Sequence, residues 1–148
     1  MMPNQLRAIC FILLLIAGAL YLYTGNQKEH YNATAPDEIA HMLQDIDSWQ
    51  ADALSSHLAQ EAKKIITPEQ LSNVLAFYRP LGRFDKIESL HFSRLASALS
   101  LLGKTYIGYS GHVLYQGGRA ELTITLVKED NRLKISNINM SSQALTQR

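Results

Sequence analysis

The chain has 148 residues, of which 47% are hydrophobic and 18% charged, with 8 Gly, 4 Pro and 1 Cys. This is enough for one ordinary domain and too apolar for a disordered chain. A lone cysteine excludes an internal disulfide or a multi-cysteine metal site, and a formal net charge of +1 gives no general pull toward nucleic acid.

Ala8 to Tyr23 carries no charged residue, and one cation, Arg7, precedes it. As a helix this run spans about 24 Å, against a hydrocarbon core of about 30 Å, and Thr24 and Gly25 extend it. Two readings stand. Residues 8–24 form a cleaved secretory signal with Ala17-Gly18-Ala19 as its small-residue site, or an uncleaved anchor with Tyr21 and Tyr23 at the interface. With Arg7 before the span, the positive-inside rule keeps residues 1–7 in the cytoplasm and exports the rest. Cys10 lies within the apolar run and reads as a buried apolar residue of the span. Asn32-Ala33-Thr34 fits the glycosylation acceptor triplet.

Residues 25–35 are polar and aperiodic and read as a linker. A folded domain is expected over 36–140, followed by a polar, frayed tail over 141–148. Pro36, Asp37 and Glu38 suit a first helical turn, and Ile39, Met42, Leu43 and Ile46 form one apolar stripe. Trp49, Ala53, Leu54 and Leu58 continue it after a bend near Ser48. Thr67-Pro68-Glu69-Gln70 is a helix start with a capping box. Leu71, Val74, Leu75 and Tyr78 give that helix its buried face, and Pro80 and Gly82 end it.

The second half changes to a period of two. A strand is expected over Arg83 to Phe92, and a short helix carries Leu95, Leu99 and Leu102. Ile107, Tyr109, Val113 and Tyr115 lie on a strand that turns at Gln116-Gly117-Gly118. Ala120, Leu122, Ile124 and Leu126 alternate with Arg119, Glu121, Thr123 and Thr125, one face buried and one wet. Glu129-Asp130-Asn131 makes the next turn. Leu133, Ile135, Ile138 and Met140 close the sheet, and their change of parity predicts a bulge near Asn137. Helices followed by an antiparallel meander give an α+β domain with the helices on one face of a curved sheet.

Several segments carry a family resemblance. They are Ile46-Asp47-Ser48-Trp49 through Asp52 and Leu58, Leu81-Gly82-Arg83-Phe84, Tyr106-Ile107-Gly108-Tyr109, Thr123-Ile124-Thr125-Leu126-Val127-Lys128 and Leu133-Lys134-Ile135-Ser136. On these the chain resembles the nuclear-transport-factor-2-like (cystatin-like α+β) superfamily, in particular its small exported bacterial members of unknown function. The resemblance implies a cone-shaped fold over residues 36–140, and a periplasmic domain behind a single-pass inner-membrane anchor, or a secreted one if the apolar segment is cleaved. The superfamily includes isomerases, dehydratases, ligand carriers and bare assembly modules, and dimers are common in it.

An isomerase of this kind needs a base beside the carbon acid and donors on the oxyanion. The candidates for such roles are Asp52, Asp85, Tyr78, Tyr109 and Tyr115, yet no carboxylate points inward on the two clear strands. Trp49, Tyr78, Tyr109 and Tyr115 are the candidate lining of the cone. His41, His57, His91 and His112 show no metal-ligand spacing, Ser110-Gly111-His112 is no nucleophile elbow, and neither a cofactor nor a metal is expected.

Charge is polarised along the chain. Glu29–Ala62 holds seven acids and no Lys or Arg, whereas Lys63–Arg148 holds twelve Lys or Arg and six acids. The expected function is that of a non-catalytic protein-interaction or assembly module in the cell envelope. Its expected partners are the membrane, through the apolar helix, and an envelope protein, but not nucleic acid. The alternative is a small apolar-ligand carrier or ketosteroid-isomerase-like enzyme that uses the cone.

Overall fold

A computed structural model describes residues 3–32, 34–93 and 104–146. Helix α1 spans Pro3–Asn32. Its window Asn4–Leu22, 19 residues, is long and apolar enough to cross a membrane, and none of it is buried against the domain. This one apolar helix can serve as a membrane span or as a signal sequence. The segment expected as a linker is instead helical through Asn32. Gln27, Lys28 and Glu29 are good helix formers, and no proline interrupts them.

Helix α2 (Ala35–Ile46) buries Ala35, Ile39, Met42, Leu43 and Ile46, the apolar stripe expected of it. The chain bends at residues 47–50 and re-enters helix as α3 (Ala51–His57). A short α4 (Gln60–Ile65) follows; Gln60 to Lys64 are good helix formers, but no fully buried side chain gives it an apolar stripe to be read in the sequence. Helix α5 (Pro68–Tyr78) starts in the predicted capping box. Thr67 Oγ1 accepts from Gln70 N at 3.1 Å, and Thr67 N donates to Gln70 Oε1 at 2.9 Å. A 3₁₀ turn, Arg79–Leu81, ends it at Gly82.

Strands β1 (Phe84–Ser93), β2 (Tyr106–Tyr115), β3 (Gly118–Glu129) and β4 (Arg132–Ser142) form a curved, open antiparallel meander in the order β1-β2-β3-β4. The short helix expected around Leu95, Leu99 and Leu102 lies outside the described residues. The predicted bulge in β4 is present. Thr125 pairs with Asn137 and Leu126 with Ile135, which leaves Ser136 as the extra residue. The expected frayed tail is corrected by the structure. After β4 the chain forms α6 (Gln143–Thr146), which buries Leu145. One apolar side chain in a polar tail is enough to hold a single turn against the sheet.

The core lies between the helices and one sheet face, with Ile107, Tyr109, Val113, Leu122, Ile124, Leu126 and Ile135 fully buried. The edge of β4 is partly covered, because Ala59 N donates to Ile135 O at 2.8 Å. Glu61 Oε1 pairs with Lys104 Nζ at 2.6 Å, and Tyr106 Oη donates to Glu61 Oε2 at 3.1 Å, tying α4 to the start of β2. The Lys104 ammonium, then the Tyr106 hydroxyl, hold the Glu61 carboxyl below its ordinary value.

Strand β1 carries register shifts between Phe84 and Lys86 and between Ile87 and Ser89. Gly111 pairs with Leu90 just past the second, where a Cβ would run into the Ser89 carbonyl oxygen and the Leu90 backbone. Gly111→Ala is therefore expected to strain the β1–β2 ladder by about 1–3 kcal/mol, as overpacking does. Urea unfolding of the full chain in detergent reads this as a lower midpoint; an unchanged midpoint would refute the close approach.

Candidate functional site

The space between helices and sheet is where a cone would hold a ligand. Trp49 occupies it from the α2–α3 bend. Its backbone is left-handed, with φ +55°, a conformation a bulky residue rarely adopts. Trp49 N donates to Ile46 O at 2.8 Å, and the indole Nε1 donates to Gly82 O at 3.0 Å. The ring lies 5.9 Å from Tyr115 and 6.3 Å from Tyr78, and Phe84 meets Tyr115 edge-on at 5.7 Å.

The structure thus brings together three of the four predicted lining residues. Tyr109 is apart from them. It lies six residues along β2 from Tyr115, about 20 Å by strand rise, against the edge of Phe92 at 5.6 Å. All four side chains are buried.

Their polar atoms are engaged within the fold. Tyr78 Oη accepts from Met140 N at 3.2 Å and lies 3.3 Å from Asn139 Oδ1, to which it donates. Tyr115 Oη donates to Met140 Sδ at 3.5 Å. Burial pushes the Tyr109 hydroxyl up to about 12, and burial, with the charge of Asp47, pushes that of Tyr115 up as well. A phenol in this setting stays neutral. With its bonds committed, Tyr78 is not directed at a ligand oxygen.

The carboxylates named as candidate bases do not approach this cluster. Asp52 is exposed on α3 and Asp85 is exposed on β1. Asp47, close by, spends its Oδ2 on Phe84 N at 3.1 Å. Glu121 faces outward, as its alternation with Leu122 requires. Among the described residues, base and oxyanion donors therefore do not converge on a common point in the interior, the geometry that proton abstraction requires.

On the outer face the register builds a row that sequence reading missed. Ser89, His112, Glu121 and Ser141 stand directly opposite one another across four strands. Ser89 Oγ lies 3.3 Å from His112 Nδ1, and His112 Nε2 lies 3.7 Å from Glu121 Oε1. Arg119 Nε pairs with Glu88 Oε2 at 2.7 Å beside them. An open groove of about 580 Å³ runs past His112, Arg119, Glu121 and Ser141 to the start of α6.

The composition is that of a serine-nucleophile triad, but the geometry is not. The imidazole–carboxylate distance is too long for a hydrogen bond, and Ser89 Oγ also accepts from His112 N at 3.3 Å. A signal for this row did exist. A two-residue turn at Gln116-Gly117 pairs Tyr115 with Gly118, and this alone places His112 opposite Glu121.

Elsewhere His57 Nε2 meets Asp45 Oδ2 at 3.0 Å, linking α3 to α2, while His41 and His91 are exposed. Among the described residues, no three His, Cys, Asp or Glu side chains gather as metal ligands would. A second cleft of about 370 Å³ opens between α3, α4 and α5, past Asp52, Lys63 and Leu71. Comparison with protein-family models, curated proteins and solved structures found no significant match.

Two outcomes follow from the aromatic cluster. Trp49→Phe keeps a ring but leaves Gly82 O without its donor, at a cost of about 1–3 kcal/mol. Chemical denaturation followed by circular dichroism would show the loss, and wild-type stability would refute the role given to the indole N–H. The second concerns alkali. The folded-state value of Tyr109 is raised, so it favours folding fully below the ordinary tyrosine value of about 10 and loses that contribution as pH rises through about 12. An absorbance titration of phenolate should show a late-ionising fraction that shrinks in Tyr109→Phe. Identical curves for the two proteins would contradict the burial.

Proposed function

We propose that this chain is a membrane-tethered, exported domain of the nuclear-transport-factor-2-like kind, acting as a non-catalytic interaction or assembly module. The observation that carries the reading is the filling of the interior by Trp49, Tyr78 and Tyr115. A carrier needs open volume under the sheet, and an isomerase needs a carboxylate there. Rings packed at 5.9–6.3 Å supply neither.

The helix-then-meander order and the apolar α1 support the same reading. So does the outer sheet face, which presents Arg119, Glu121, Thr123 and Asn139 to solvent. Mixed charge on an exposed face favours oriented docking more than raw affinity. The orientation given to α1, with the domain outside the cytoplasm, rests on Arg7 alone.

A photo-crosslinking residue at the exposed Thr123, in the full chain expressed in its own host, is expected to give one discrete heavier species. Native mass spectrometry of the same chain in detergent should show the bare protein mass. An added mass of small-molecule size that leaves on denaturation, without any crosslinked product, would replace the module with the carrier or isomerase.

A further inference from the structure

We infer that the end of the domain bearing α4 rests on an anionic phospholipid surface. The inference relies on the membrane tethering proposed above and goes beyond it. Ile65, the last residue of α4, is 80% exposed, more than any other large apolar side chain of the domain among the described residues. Lys63 and Lys64, both exposed, precede it. Ile66 tucks back instead, its N–H bonded to Ala62 O at 3.1 Å. The turn therefore presents one exposed apolar side chain with two ammonium groups just before it in the chain, a composition that suits a headgroup–acyl boundary.

The surroundings of this turn are basic. Gln60 N donates to the Glu129 carboxylate at 3.0 Å, which places α4 beside the β3–β4 turn. Lys128, Arg132 and Lys134 belong to that end of the sheet. The acids there are largely engaged, Glu61 with Lys104 and Tyr106, and Glu129 with the α4 amide, while Asp130 is exposed.

Chain direction then brings this end toward α1. Asp47, just past α2, bonds Phe84 at the start of β1, and α2 packs on β1. The start of α2, Ala35, therefore lies about 18 Å from that bond, on the side of it toward which β1 runs. That strand runs to the sheet end at which Ser93 pairs with Gly108, near Tyr106, Glu129 and α4. The chain therefore leaves for its apolar helix from partway along β1, on the side of Asp47 that faces the end carrying Lys63, Lys64 and Ile65. A single turn of this kind would bind vesicles poorly by itself. Held by a tether, it meets the surface at a high effective concentration.

The full chain with Cys10→Ser and Ile65→Cys, labelled at residue 65 with a polarity-sensitive fluorophore, tests this in reconstituted vesicles. In phosphatidylcholine containing phosphatidylglycerol, the label should shift to the blue and be quenched by brominated acyl chains. High salt should reverse the effect. Lys63→Ala and Lys64→Ala should each lower the docked-to-undocked ratio about fivefold, the worth of one cation near an anionic surface. Vesicles that float with the chain but give the same emission with and without anionic lipid would overturn the inference and leave the anchor standing. A chain that floats with neither kind of vesicle would remove the anchor, and the inference with it.

Discussion

The hydrogen bond from the Trp49 indole to the Gly82 carbonyl is the constraint on which the rest of the domain depends. It joins the bend after α2 to the turn before β1, two segments 33 residues apart. Around it the backbone is closed by other bonds: Asp47 to Phe84 N, Gln116 N to Arg83 O at 2.9 Å, and Gly117 N to Leu81 O at 2.8 Å. Helix end, strand start and the β2–β3 hairpin thereby meet at one point. The left-handed backbone of Trp49 costs of order 1–3 kcal/mol. Removing such a ring from a core costs about 3–5 kcal/mol, so burial of the indole outweighs the strain that places it. Gly82 permits the partner geometry with its own φ of +75°, where a Cβ would also press on Gln116.

Features that depend on local pattern were legible in the sequence. The stripe Ile39-Met42-Leu43-Ile46, the box at Thr67 and Gln70, the alternation of β3 and the parity change that marks Ser136 each report a single element. Features that depend on one element meeting another were not. Residues 60–64 are good helix formers, but they carry no apolar stripe to mark α4, whose hold on the sheet runs through Ala59 N, Glu61 and the partly buried Ala62. Leu145 reads as part of a polar tail until β4 is known to end within reach of it. Of the candidate lining residues, Trp49, Tyr78 and Tyr115 share a cluster because three separate turns bring them together. Tyr109, on the same strand face as Tyr115, is carried away from them by strand length alone.

The two ends of the sheet are therefore different in kind. One end is closed by backbone hydrogen bonds around Gly82, Gly117 and Phe84 and is rigid by construction. The other combines two backbone bonds, Ala59 N to Ile135 O and Lys128 N to Thr105 O, with side-chain ties, Glu61 with Lys104 and Tyr106, and Glu129 with Gln60 N. Side-chain ties between exposed charges contribute little to stability and are screened by salt. The charge polarity of the chain, acids first and bases later, leaves Lys63, Lys64, Lys128 and Arg132 at the end of the sheet that carries α4.

This contrast bears on where function can reside. An interior that houses a ligand must leave its rings apart and its polar atoms unspent. Here Tyr78 both donates and accepts, the Trp49 N–H is taken by Gly82, and Asp47 is bound to a backbone amide. Opening that space would require breaking bonds that also hold the helices to the sheet, so ligand entry and loss of the fold would be coupled. A surface function carries no such penalty. The outer face gains its Ser89–His112–Glu121–Ser141 row from register, at positions that make no demand on the core. Substitutions on that face, or of the lysines of α4, can therefore leave Trp49 and the bonds around Gly82 undisturbed.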